Sequence, residues 1–178
     1  MGMVDFITRN RSIVLIIAIP LIIMFIFVRE VSVLSALIIA SLILSYFMGQ
    51  WRMKAVGLEL VMLIAIITGM TYGPMAGAII AFVMIVIHMI ATEHVNAYLL
   101  WVIPGYSIVG FLAGTTELSI RAFGIYATLG LNLINLMITA VIFRENVSKF
   151  LPFAITNVMF NLFLFFFIAP GLIDIMKA

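Results

Sequence analysis

The chain contains no cysteine, which excludes disulfides and thiolate metal sites. Charge is nearly as scarce. Only 9% of its 178 residues are Asp, Glu, Lys or Arg, against 66% hydrophobic, and the mean hydropathy is +1.37. That leaves too little polar surface to coat a water-soluble globule. No phosphate-binding loop of the GxxxxGK[ST] kind, no HExxH zinc pair and no assembled Ser-His-Asp or Cys-His set is present, so ATP hydrolysis by this chain alone, a metal site and catalysis all lack support. The expectation is a protein that is not an enzyme, carries no cofactor and has no nucleic-acid partner.

What the sequence does have is long apolar blocks. Charges gather at Asp5/Arg9/Arg11, Arg29/Glu30, Arg52/Lys54, Glu93, Glu117/Arg121, Arg144/Glu145/Lys149 and Asp174/Lys177. Between them, spans of roughly 17 to 25 residues fall at about 12–28, 31–48, 55–70, 75–92, 98–113, 122–143 and 151–170. Such blocks are too long and uniformly apolar for barrel strands, and an isolated segment in lipid must satisfy its own backbone hydrogen bonds, so they are expected to be helices. The fold class is all-α: a polytopic integral membrane helical bundle of six or seven transmembrane helices, multi-pass in the cell membrane, forming one domain over 1–178. Six and seven both stay open because Arg29-Glu30 makes a very tight hairpin. The first block is expected to be retained, since Arg29-Glu30 follows it and no small-residue cleavage site does.

Tyr72-Gly73-Pro74 reads as a tight reversal between two spans. Proline at a first helical position loses no intrahelical bond, and the preceding glycine permits the sharp turn. Gly73 and Gly77, continued by Ala81, then form a small-residue face that lets a neighbouring backbone approach. Gly110 with Gly114, and Ala36 with Ala40, form two more.

Polar residues inside spans are costly and tend to face the bundle interior or a cavity. Thr128, Asn132, Asn135 and Thr139 share one face of the sixth span. Asn157 and Asn161, with Thr156 beside them, repeat in the last. These carboxamides either bond helix to helix or line a pocket for a small polar solute. Glu59 lies about one turn from Lys54 and reads as near the interface. His88 lies deeper and reads as a hydrogen-bonded packing residue. Glu93, His94, Asn96, Tyr98 and Trp101 make the most polar and aromatic loop edge in the chain.

Six Lys and Arg (Arg9, Arg11, Arg52, Lys54, Arg144, Lys149) share the side of the N-terminus, against three (Arg29, Arg121, Lys177) opposite. By this count the N-terminus lies inside.

From about Val31 onward the chain resembles the six-helix substrate-binding S-component of energy-coupling factor transporters. The resemblance rests on the order of Ala36-x-x-x-Ala40, the "YGPMAG" reversal and "LPFAITNVMFN". It implies a six-helix core over about 31–175, preceded by an additional apolar helix at about 12–28. It also implies capture of a small vitamin-like or other small solute, and dependence on a transmembrane coupling subunit and ATPases. By position, Ala36 and Ala40 would dock the coupling subunit. Glu93, His94, Asn96, Trp101, Asn132, Asn135 and Asn157 would be pocket residues. The family plan puts loops 49–54, 93–97 and 144–150 outside, where the charge count puts them inside, and both orientations stay open. The reversal and "GYSIVGFLAG" also resemble the rod-shape-determining protein MreD, a membrane scaffold without a solute, although His88 stands where that family usually carries an acidic residue.

Overall fold

A computed structural model describes residues 28–51, 56–93 and 99–177. Apart from Val28, the expected first span at 12–28 lies outside them. The described helices are α1 (Arg29–Gln50), α2 (Val61–Tyr72), α3 (Pro74–Ala91), α4 (Leu99–Ala113) and α5 (Ile120–Val141). A 3-10 turn, Val147–Lys149, leads into α6 (Leu151–Phe163), which runs through one π turn (Leu164–Ile168) into α7 (Ala169–Lys177). Four rods are long and apolar enough to cross a membrane: α1, α3, α5 and the continuous 27-residue Leu151–Lys177. Among the described residues there is no strand.

α2 and α4 are shorter, with 12 and 15 residues. At 1.5 Å per residue they reach about 18 and 22 Å, short of a hydrocarbon layer of about 30 Å. The rods alternate in direction. At one end, here the turn end, Gly114 packs on Pro74; at the other, the loop end, Gly49 packs on the backbone of Ala91. α2 sits at the centre. Every residue from Val61 to Ile67 has 0% exposure, as expected of a helix that is apolar all round and enclosed by others.

Small residues bring α3 and α4 against α2. A methyl group added at Gly77 would strike the Gly110 carbonyl and the Gly69 Cα, and one added at Gly110 would strike the backbone of Gly77 and Ala78. The two glycine faces expected from sequence therefore meet each other, with Gly69 of α2 as a third member. The third face behaves differently. Ala36 and Ala40 are exposed on the outside of α1, whose buried side is Val33, Ser41, Ser45 and Met48.

The reversal forms as expected, with Pro74 opening α3. Gly73 has φ 94 and ψ 171, a region that only glycine occupies readily. Nothing lies within 4 Å of a Cβ built there, so the cost of a side chain is purely conformational. Gly73→Ala is expected to lower stability by about 1–3 kcal/mol, read as a lower melting temperature in detergent with the helix content unchanged.

Two expected boundaries need correction. The span expected at 55–70 is helical only from Val61, and 56–59 are not helical. Gly57 lies against Asn157 and the Phe153 carbonyl, where any side chain would collide. The Glu59 carboxylate accepts the Met62 N–H and so serves the first turn of α2 in place of a preceding helical carbonyl. The last span, expected to end near 170, continues to Lys177. Pro170 lacks the N–H that would bond the Phe166 carbonyl one turn back. Arg121 supplies that bond instead, its Nη2 donating to Phe166 O at 3.2 Å, while its guanidinium stands 5.8 Å from the Phe166 ring centre.

Candidate functional site

The non-helical 56–60 segment brings a carboxylate into the bundle. Glu59 is only 2% exposed, enclosed by protein. Since α2 extends about 18 Å from the neighbourhood of Glu59 to the turn end, the carboxylate stands at the start of α2, about that distance from the turn end. Irregular backbone within a membrane bundle persists only when enclosed by protein or lining a polar cavity.

Four donors converge on Glu59. Its Oε2 accepts the Met62 N–H at 2.9 Å. Its Oε1 accepts Tyr106 Oη–H of α4 at 3.2 Å, Asn161 Nδ2 of α6 at 3.2 Å and, more weakly, Asn157 Nδ2 at 3.5 Å. The Met62 amide also belongs to the positive end of α2, which favours a negative charge beside it.

An amide chain extends this cluster to α5. Asn157 Nδ2 donates to the Gly57 carbonyl at 2.9 Å, and its Oδ1 accepts Asn132 Nδ2 at 2.8 Å. Asn132 Nδ2 also reaches the Thr128 carbonyl at 2.9 Å. Thr156 Oγ1 accepts the Gly57 N–H at 2.8 Å, so both polar backbone groups of Gly57 are held by α6. Asn161 Nδ2 donates to the Asn157 carbonyl at 3.1 Å as well as to Glu59, whereas its Oδ1 is buried without a partner. Because both partners of Nδ2 are pure acceptors, the amide orientation is fixed by chemistry.

Of the residues expected to form a pocket, Asn132 and Asn157 belong to this cluster. Asn135 stands one turn further along α5 and accepts the Trp101 indole N–H at 2.9 Å, forming a separate α4–α5 link. Glu93 is exposed beyond α3, with φ 57, outside the buried cluster. His94 and Asn96 lie outside the described residues. His88 Nδ1 is 2.8 Å from Ser45 Oγ, joining α3 to α1, and Ala36 and Ala40 face outward as described above.

Sequence reasoning left Glu59, Tyr106 and Asn161 out of the pocket set. The available signal was Glu59 itself, the only acidic residue in the apolar run 55–70, since an ionisable group within a span marks a functional site by default. Among the described residues no three His, Cys, Asp or Glu side chains gather as a metal site would require.

No protein-family model matches the chain, nor does any curated protein or solved structure. The functional reading therefore starts from the Glu59 cluster.

Proposed function

We propose that the chain is the membrane-embedded solute-binding subunit of a transporter in the cell membrane, capturing a small polar solute and relying on a partner coupling subunit and ATPases. The observation that carries this reading is the interrupted path into α2. A short helix begins inside the bundle, and its N-terminal end and Glu59 meet Tyr106, Asn157 and Asn161, with Asn132 behind them. Broken helices with polar groups near the midplane are how transporter bundles build solute sites. A fold needing only to hold its helices together gains little from a buried carboxylate, because burying a charge costs several kcal/mol.

In this reading the six rods form the S-component-like core, with 12–28 as an additional seventh span. The loop end faces outward, so solute enters from the end where α1 and α3 finish and α2 begins. The exposed Ala36-Ala40 face of α1 remains open to the coupling subunit, and the chain itself performs no catalysis.

The test uses the full chain purified in mild detergent. A small molecule is expected to co-purify, detected by mass spectrometry, and one member of a vitamin and small-solute panel is expected to raise the melting temperature. Asn132→Leu is expected to abolish that shift while the protein stays folded. Cysteines placed singly at 50, 95 and 147 are expected to label from outside. A protein that carries nothing, responds to nothing and labels from inside at all three positions would instead be a scaffold of the MreD kind.

A further inference from the structure

Within the solute-binding reading just proposed, the bonding around Glu59 also restricts the chemistry of the solute. The relevant quantity is what the cluster still lacks once its internal bonds are counted. An ionised carboxylate has about four acceptor positions. At Glu59, Oε1 takes three donors and Oε2 takes only the Met62 N–H. None of these four partners carries a positive charge. Beside it, Asn161 is 0% exposed, and its Oδ1 has no partner while its Nδ2 is committed to Glu59 and Asn157.

The unused capacity is therefore all of one kind. With Glu59 ionised, two acceptor oxygens, Glu59 Oε2 and Asn161 Oδ1, remain available around a negative charge that none of its partners offsets, and Asn157 Nδ2 and Asn161 Nδ2, the carboxamide donors nearest that charge, are already engaged. An anion would meet like charge and no available donor there. A neutral hydroxyl would satisfy an acceptor without offsetting the charge, and buried charges are stable when paired and hydrogen-bonded.

We infer that the site takes a solute bearing a protonated amine or amidine, whose N–H groups bond Glu59 Oε2 and Asn161 Oδ1 while its charge offsets the carboxylate. Asn157 and Asn132 then act as positioning residues. Asn157 ties the Gly57 carbonyl and so holds the 56–60 segment, and Asn132 fixes the orientation of the Asn157 amide.

The test compares matched solutes on the purified wild-type chain: butylammonium and butyramidinium as chlorides, butyrate as the sodium salt and neutral butanol, all at one ionic strength set with sodium chloride, with sodium chloride against choline chloride as the metal-ion arm. The two N–H cations are expected to raise the melting temperature, and butanol, butyrate and sodium over choline are not. Glu59→Gln keeps the shape and removes the charge, and is expected to weaken the N–H cations by roughly 10- to 100-fold, the range of one charge-assisted bond. The wild-type panel decides even if that variant does not fold. Stabilisation by butanol or butyrate, or by sodium ion alone, overturns the cationic N–H assignment and leaves a solute site standing. A chain that responds to none of these probes, yet is stabilised by an uncharged or anionic vitamin, likewise overturns the assignment. Silence to every probe and to the vitamin panel overturns the assignment and the solute-binding reading together.

Discussion

Gly110→Val is expected to prevent the bundle from closing. The added side chain would meet the backbone of Gly77 and Ala78 across the α3–α4 contact, and backbone cannot rotate away as a flexible side chain can. Overpacking a tight site ordinarily costs about 1–3 kcal/mol. Here the obstruction is main chain on both sides, and Gly69 of α2 lies against the Gly110 carbonyl, so relief requires moving one whole helix. A loss above about 3 kcal/mol is expected, beyond the usual range for a point substitution. In practice the variant should express poorly or melt far below the wild type. Gly130→Val supplies the control, because a Cβ at Gly130 has nothing within 4 Å, and it should melt within a few degrees of the wild type. Equal melting of the two variants would show that the Gly77–Gly110 approach is not what holds α3 and α4 together.

The second large effect belongs to Asn157, which ties the irregular 56–60 segment to α5 and α6. Asn157→Leu removes the donor to the Gly57 carbonyl and the acceptor for Asn132. Each buried polar group left unmet costs about 1–3 kcal/mol, so a loss of about 3 kcal/mol is expected, with greater protease sensitivity in 56–60. The double variant Asn132→Leu/Asn157→Leu is expected to lose less than the sum of its two single variants, because the second substitution removes a partner already unmet. Strict additivity of the melting shifts would mean that the Asn132–Asn157 bond carries no coupling.

How much of this was legible beforehand depended on whether the cause was local. The reversal at Tyr72-Gly73-Pro74 was legible because glycine and proline act on their own backbone, and Gly73 adopts the positive φ that its sequence context called for. The small-residue faces at Gly77 and Gly110 followed from residue size, whereas their packing on each other is visible only in the structure. Asn132 and Asn157 stood out as carboxamides on apolar walls, and both are buried in the cluster. Glu59 did not stand out in the same way, because its depth is set by where α2 begins. That boundary depends on Gly57 lying against Asn157 and Phe153, about 100 residues away in sequence, which a hydropathy window cannot register. Tyr106 was missed for a related reason. Tyrosine in a span reads as an interface anchor until a buried acceptor appears opposite its hydroxyl. The last helix was expected to end near 170, whereas it continues through Pro170, with Arg121 of another helix bonding the Phe166 carbonyl.

The sealed position of α2 also has a consequence for how the protein is made. A segment with no lipid-facing residue from Val61 to Ile67 enters the bilayer before the helices that will enclose it, and its two closest neighbours, α3 and α4, are the next to leave the ribosome. Residues 61–113 thus form a set whose contacts are close in sequence, the kind that assembles early because little chain must be ordered to bring its parts together. Glu59, at the leading edge of that set, finds Tyr106 once α4 has arrived, but must wait for α6 before Asn157 and Asn161 reach it. The polar centre is therefore the last part of the molecule to be completed during synthesis. Chains truncated before Leu151 should hold the three-helix unit while leaving the carboxylate half enclosed.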